Sequence, residues 1–161
     1  MMQIGDVFPH FVLADENGET VDSAGLTGLR YVVFFYAKDR TTGCTKEAQD
    51  FTALYPKFML RNIPLFGISG DSPASHQKFI AAAGLKVKLL ADPDHLFAKK
   101  CGAFGLKMMY GKQVEGTIRS TFLVGRDGRI EEIWTKVKVD GHAQKVLDAA
   151  LSHFRHEQVP E

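Results

Sequence analysis

Apolar residues along the chain form short continuous runs that alternate with segments of helical spacing. Two continuous runs, at 31–36 and 63–69, are rich in β-branched and aromatic residues, which is typical of strands buried on both faces. Between them, the apolar positions of residues 48–58 recur at the spacing of an amphipathic helix. We therefore predict a strand–helix–strand unit with parallel strands.

Turn and cap residues on either side of this unit predict further elements. The Asn17-Gly18 dipeptide lies between two short apolar stretches and indicates an N-terminal β-hairpin. Ser72-Pro73 has the residues of a helix start and Gly84 that of a helix end, so a second helix is expected between them. A short strand at 87–90 follows this helix.

Asp92 or Asp94 is expected to cap a further helix that runs through about Lys100. After it, the chain is predicted to hold a loop, two strands and a closing helix. The glycine-containing segment 102–111 is expected to be a loop. Strands are expected at 117–124 and 130–137, and helical spacing resumes at 146–154 before a frayed tail at 157–161. The order of elements indicates an α/β fold of the thioredoxin arrangement. It has a central mixed β-sheet, helices on both faces and the N-terminal β-hairpin as an extension.

The composition of the chain excludes several classes of function but does not identify the function. A chain of 161 residues fits a single domain over 1–161, and its net charge of +1 gives no reason to expect nucleic acid, a membrane surface or an acidic partner. No signal-like or membrane-length apolar run is present, so a cytoplasmic location is expected. Two cysteines and six scattered histidines predict neither a disulfide framework nor a metal site, and no cofactor is expected.

The expected chemistry is at Cys44, where the first buried strand has ended and a helix begins. First-turn N–H groups and the helix dipole stabilise a thiolate there, and the polar flanking residues are unlike those of a core cysteine. Thr41 can aim its hydroxyl at the thiolate or at an oxygen bound beside it, and Gly43 lets the backbone come close to an approaching molecule. Glu47 is expected to fold back onto first-turn N–H groups as in a capping box.

The pattern around Cys44 is T-x-x-C, with Thr41 where a thioredoxin-like protein has the first cysteine of C-x-x-C. A single cysteine cannot close that local disulfide, which favours attack on a small electrophile. Two other functions stay open at this point: a thiol–disulfide oxidoreductase, and a non-enzymatic redox sensor.

The segment Phe35-Tyr36-Ala37-Lys38-Asp39-Arg40-Thr41-Thr42-Gly43-Cys44-Thr45-Lys46-Glu47-Ala48 resembles the signature of peroxiredoxins of the bacterioferritin comigratory protein (PrxQ) class. Further similar blocks, among them Arg119-Ser120-Thr121-Phe122, extend over nearly the whole chain. The resemblance implies a thiol-dependent peroxidase acting on hydrogen peroxide and organic hydroperoxides. By the same resemblance Cys44 is the peroxidatic cysteine and Thr41 orients the peroxide.

Arg119 corresponds to the arginine that stabilises the thiolate and polarises the O–O bond. In this sequence it is expected inside an apolar strand, where a guanidinium needs a partner.

Three positions depart from the pattern of that class. Ala37 and Thr42 replace prolines that the class usually or often has, so the loop is predicted to be more mobile. Gln49 occupies the place of a common resolving cysteine, and the 72–84 helix has no cysteine either. Only Cys101 remains.

Cys101 is four residues after Phe97, on one helical face, which indicates a core position. We therefore expect a one-cysteine mechanism, in which an external thiol (thioredoxin, glutaredoxin or glutathione) regenerates Cys44. A Cys44–Cys101 disulfide is the alternative. A monomer is expected, with a dimer as the alternative.

Three other features are predicted to be structural. His76 and His142 are expected at surface or capping positions. Met108-Met109-Tyr110 is expected to pack as a loop, the alternative being that it lines the approach to the pocket.

Overall fold

The computed structural model describes residues 2–158, which form nine strands and four α-helices. The strands are β1 (Val12–Asp15), β2 (Thr20–Asp22), β3 (Tyr31–Phe35), β4 (Leu65–Ser69), β5 (Lys88–Ala91), β6 (Phe104–Met109), β7 (Lys112–Thr117), β8 (Ser120–Val124) and β9 (Ile130–Thr135). The helices are α1 (Thr42–Met59), α2 (Pro73–Ala83), α3 (Leu96–Lys100) and α4 (His142–Gln158).

Seven strands form one mixed sheet in the order β2-β1-β5-β4-β3-β8-β9. The central strands β3, β4 and β5 are parallel, which confirms the predicted strand–helix–strand unit. The strands β8 and β9 add to one side antiparallel, and the N-terminal hairpin β1–β2 adds to the other through β5. The predicted mixed sheet and hairpin extension are therefore confirmed.

The side chains of β3 divide the interior into two cores, because alternate residues of a strand face opposite sides of the sheet. Val32 and Phe34 pack with α1, α2 and α4 on one side. Val33 and Phe35 pack with α3 and N-terminal aromatic residues on the other side. Helices lie on both faces, as predicted. Cys44 belongs to the first core and Cys101 to the second.

The segment predicted to be a loop at 102–111 instead contains strand β6, which pairs with β7 as a separate two-stranded hairpin. The turn residues Tyr110 and Gly111 both have positive φ, 51° and 77°, as a tight hairpin turn requires. These strands are largely exposed, and Gly105 lies opposite Gly116, so neither the buried-strand pattern nor β propensity marked them.

The strand predicted at 117–124 is interrupted. β7 ends at Thr117 and β8 begins at Ser120, so Arg119 lies in a break between two strands and not within one. The backbone carbonyl of Arg119 accepts a hydrogen bond from the N–H of Val137, beyond the end of β9. This bond fixes the backbone at Arg119, and the side chain leaves the sheet because residue 119 belongs to neither strand.

Helix α4 continues through Gln158, two residues into the predicted tail, and residues 159–161 lie outside the described part of the chain. None of the helices described is both long and apolar enough to cross a membrane.

Close packing at the centre of the sheet generates a stability prediction. A Cβ added at Gly67 of β4 would lie 2.7 Å from Cζ of Phe34 and 3.0 Å from Cδ2 of Leu89, both in the buried core. Overpacking of this kind costs about 1–3 kcal/mol. We expect Gly67→Ala to lower the free energy of unfolding by that amount in urea denaturation. Gly25→Ala is the control, because its added Cβ meets no heavy atom within 4 Å. Equal losses in both variants would contradict this explanation.

Candidate active site

Cys44 is the third residue of α1, at the point where the chain returns from the end of β3. Thr41, the residue just before α1, is the N-cap of this helix and has an extended backbone conformation (φ −80°, ψ 156°). Only 2 % of Cys44 is exposed. The predicted position of Cys44 at a helix start is therefore observed, and the first-turn N–H groups of α1 have no acceptor within the helix.

Arg119 reaches Cys44 from the break between β7 and β8. Its Nη2 donates a hydrogen bond to Sγ of Cys44 at 3.2 Å, and its Nη1 donates to Oε1 of Glu47 at 2.6 Å. Burial opposes the charge on Arg119, but Glu47 and Cys44 outweigh it and raise the pKa of the guanidinium. The structure thus brings two predicted site residues together and supplies the ion-pair partner expected for Arg119.

Glu47 does not form the predicted capping interaction. Its side chain is 1 % exposed and is paired with Arg119, while the Thr41 side chain forms no cap hydrogen bond. The second carboxylate oxygen, Oε2, is buried without a hydrogen-bond partner in the described structure. Burial raises the pKa of Glu47 to about 7, although Arg119 acts in the opposite direction. The contact with Arg119, which is 72 residues away in the sequence, therefore outweighs the preference of Glu47 for capping the start of its own helix.

Thr41 and Gly43 are exposed at the mouth of the site. The Thr41 hydroxyl donates to the carbonyl of Lys38 at 2.9 Å, which leaves its oxygen able to accept a hydrogen bond from a molecule beside Cys44. A Cβ at Gly43 would lie 3.5 Å from Nη2 of Arg119, an ordinary contact. The residues present therefore do not require glycine at this position.

A cavity of about 510 Å³ lies beside Arg119. Its walls include Ala37 from the loop before α1 and Leu106 and Met108 from β6, whereas Cys44 does not line it. Met108 therefore lines the approach to Arg119 from a strand, and the prediction that it packs as a loop is wrong. Within residues 2–158, no three His, Cys, Asp or Glu side chains are grouped as a metal site would need.

Cys101 lies immediately after α3 in the core on the opposite side of the sheet from Cys44. It is 2 % exposed and belongs to the same core as Phe97, as its spacing predicts. Burial, and then the charge of Asp92, raises the pKa of the Cys101 thiol far above its usual range. The structure does not bring Cys101 to the site.

Residues 4–133 match the AhpC/TSA family. The chain belongs to the AhpC/TSA family. It is similar to peroxiredoxin Bcp of Xanthomonas campestris, with 44 % identity over 77 % of this chain and 78 % of that protein. Peroxiredoxin Bcp of Bacillus subtilis is 38 % identical over 91 % and 93 % of the two chains.

The structure of Xanthomonas campestris bacterioferritin comigratory protein was solved in a study of its alkyl peroxide reduction. It superposes on this chain with a TM-score of 0.86. It covers 95 % of this chain and 98 % of that one at 37 % identity. The thioredoxin-like fold and the resemblance to the PrxQ class are confirmed. The protein is thus a thiol peroxidase, which the comparisons favour over the disulfide oxidoreductase and sensor alternatives.

Two histidines for which surface or capping positions were expected are buried in this peroxiredoxin. His76 is fully buried, with Nδ1 2.7 Å from Oδ2 of Asp39, so a surface position is wrong. His142 begins α4 as expected but is also buried, and its Nε2 shares a hydrogen bond with the Thr121 hydroxyl at 2.8 Å. Burial, then the charges of Lys145 and Arg119, lowers the pKa of His142 to about 4.

One signal in the sequence identifies His76 as buried. It precedes Phe79 by three residues and therefore lies on the apolar face of α2. Its partner Asp39 had no such signal, because a carboxylate in a polar loop is ordinarily exposed.

The buried carboxyl of Glu47 generates a pH prediction for this peroxiredoxin. The pKa is near 4.5 when unfolded and about 7 when folded, so the folded state retains a proton that the unfolded state releases between these values. Stability contributed by the protonated carboxyl is therefore lost as pH rises through that window, by up to about 3 kcal/mol. Relative to wild type, Glu47→Gln should gain that amount between pH 4.5 and 7 and then remain level.

Urea denaturation of both proteins at several pH values measures this difference. A difference that stays constant from pH 4.5 to 8 would contradict the raised pKa of Glu47. A difference that changes only above pH 7 would assign the titration to another group.

Proposed function

We propose that this peroxiredoxin reduces hydrogen peroxide and organic hydroperoxides through attack of the Cys44 thiolate on the terminal peroxide oxygen. The observation that carries the proposal is the 3.2 Å contact between Nη2 of Arg119 and Sγ of Cys44 at the start of α1. The fixed positive charge and the first-turn N–H groups both favour the thiolate, which is the nucleophilic form.

In the proposed step, the sulfur lone pair forms an S–O bond as the O–O bond breaks. The leaving oxygen departs with the electron pair of the O–O bond and is protonated to water or an alcohol, while Cys44 becomes the sulfenic acid. The Arg119 guanidinium and the Cys44 N–H stabilise the charge that develops on the leaving oxygen. The Thr41 oxygen, whose own proton is held by Lys38, accepts the peroxide O–H and orients it.

The cavity beside Arg119 supports organic hydroperoxides as substrates as well as hydrogen peroxide. Leu106 and Met108 give it apolar walls that suit a hydrocarbon substituent, and its lining also includes Arg119, which contacts Sγ of Cys44. A peroxide bound with its terminal oxygen at Cys44 would direct its substituent toward this space.

For regeneration, we propose that an external thiol attacks the sulfur of the sulfenic acid, which releases water and forms a mixed disulfide. A second thiol then frees Cys44. Thioredoxin, glutaredoxin and glutathione all supply such thiols. The position of Cys101 supports this one-cysteine cycle, because a disulfide needs Cα atoms within about 7 Å and the sheet lies between the two cysteines. That the enzyme acts as a monomer stays a prediction.

The one-cysteine cycle predicts that Cys101→Ser retains peroxidase turnover with an external thiol donor, whereas Cys44→Ser has none. Intact mass spectrometry after one equivalent of peroxide, with a sulfenic-acid trapping reagent, should show a trapped adduct on wild type and on Cys101→Ser alike. An intramolecular disulfide in wild type that is lost in Cys101→Ser would overturn the proposal and establish Cys101 as the resolving residue.

The role of Arg119 predicts a large loss in Arg119→Lys. A lysine keeps the charge but lacks the planar fork that contacts Cys44 and Glu47 together. We expect the second-order rate constant for oxidation of Cys44 by hydrogen peroxide to fall by about 10²–10³, the effect of losing one transition-state donor. Arg61→Lys, an exposed substitution beyond the end of α1, is the control and should be unchanged. A loss below threefold in Arg119→Lys would refute the assigned role.

A further inference from the structure

A buried group of polar side chains fastens the loop that leads from β3 to Cys44. Tyr36 and Asp39 belong to this loop, and Ser75 and His76 belong to the first turns of α2. The side chains of Asp39 and His76 are 1 % and 0 % exposed. No step of the proposed peroxidase chemistry uses any of them, so their burial next to the catalytic loop needs its own explanation.

Both carboxylate oxygens of Asp39 are fully engaged. Oδ1 accepts the Tyr36 hydroxyl at 2.6 Å, and Oδ2 lies 2.9 Å from the Ser75 hydroxyl and 2.7 Å from Nδ1 of His76. Burial raises the pKa of Asp39, but the hydrogen bonds from His76 and Tyr36 outweigh it and lower the pKa overall. The Asp39 side chain is therefore held from three directions.

His76 connects this loop to the centre of the sheet. Its Nε2 lies 3.0 Å from the carbonyl of Leu90 in β5, and a carbonyl can only accept, so Nε2 carries a proton. Its Nδ1 lies 2.7 Å from Oδ2 of Asp39, within hydrogen-bond distance. The imidazole thus spans from β5 to the loop, and neither ring nitrogen can give up its partner without leaving a buried polar atom unpaired.

The backbone of the same loop is tied down separately. The N–H of Asp39 donates to Oδ2 of Asp71 at 2.8 Å, and that oxygen also accepts the Ser69 hydroxyl at the end of β4. Arg40, the next residue, has a φ of 64°, in the left-handed region that residues other than glycine seldom adopt. Such a conformation persists only where neighbouring contacts hold it. Here the hydrogen bonds of Asp39 hold the chain before Arg40, and the N-cap residue Thr41 holds it after Arg40.

We propose that the Asp39–His76 pair positions the peroxidatic loop, defined as residues 37–41, so that Thr41 and the first turn of α1 are held in the geometry that captures peroxide. This proposal rests on the proposed role of Cys44. Asp39 and His76 are positioning residues, since neither contacts Cys44 or Arg119 among the hydrogen bonds described. Proline at positions 37 and 42 would make the loop rigid by fixing φ angles. In this chain, the buried hydrogen bonds of Asp39 and His76 make the loop rigid instead.

The test is His76→Phe, which keeps an aromatic ring in the space but removes both hydrogen bonds. The second-order rate constant for oxidation of Cys44 by hydrogen peroxide should fall by about tenfold to a hundredfold, as expected for misplaced reacting groups. Hydrogen exchange at the amides of 38–43 should accelerate at least tenfold relative to the amides of β3 and β4. Alkylation of Cys44, which is 2 % exposed, by iodoacetamide is expected to become faster, because a mobile loop lets the start of α1 open more often.

Asp39→Asn is the conservative variant. It tests whether residue 39 acts by positioning the loop through hydrogen bonds or through the charge of its carboxylate. Its amide can accept from Tyr36 and donate to Nδ1 of a neutral His76, whose Nε2 still donates to Leu90. We expect a peroxide rate constant within threefold of wild type. Asp15→Ala is the matched control, because Asp15 is a buried carboxylate of β1 with an ion pair to Lys88, on the far side of β5 from the loop. It should lower stability without accelerating exchange at 38–43.

Three outcomes would overturn the proposal: an unchanged peroxide rate constant in His76→Phe, unchanged exchange at 38–43, or exchange that rises equally across the chain. If His76→Phe does not fold, Ser75→Ala removes one hydrogen bond to Asp39, and its rate and exchange must change in the same directions. If wild-type Cys44 does not react with peroxide at all, the proposed function fails. The exchange and alkylation results still decide whether the pair holds the loop.

Discussion

A guanidinium shared between a sulfur and a carboxylate is the interaction on which the site depends. Cys44 and Glu47 are one turn apart on α1, and Arg119 joins both from the strand break before β8. An arginine that is mostly buried needs a counter-charge, and a buried carboxyl needs the arginine. The first turn of α1 and the β7–β8 break are therefore held together by a shared guanidinium, and its contact with Glu47 becomes an ion pair once the carboxyl, with a pKa of about 7, loses its proton.

The loop between β3 and α1 is held by a second set of buried polar contacts that shares no residue with the first. Asp39 and His76 act on the side of β4, β5 and α2, whereas Arg119 acts on the side of β8. Cys44 stands between these two anchors. A displacement of either would move the sulfur relative to Thr41, because the threonine and the cysteine are only three positions apart in the chain.

The sequence predicts well what is determined locally or by continuous burial. The strands at 31–36 and 63–69, the helix between them and the position of Cys44 at its start all follow from patterns within about twenty residues. The failures involve distant partners or half-exposed elements. Glu47 has a local capping pattern, yet it pairs with a residue 72 positions away, and Asp39 and His76 are 37 apart. The β6–β7 hairpin lacks a buried face, so hydrophobic periodicity could not reveal it.

The separation of Cys44 and Cys101 by the sheet has a consequence for how long the enzyme survives. In the proposed cycle the sulfenic acid has no resolving cysteine within the chain. It therefore reacts either with an external thiol or with a second molecule of peroxide. Reaction with the second peroxide gives sulfinic acid, which thiols do not reverse. The fraction of cycles that end in this loss depends on the ratio of peroxide to thiol concentrations. The lifetime of each molecule is then set by the surrounding reductant pool and not by the fold.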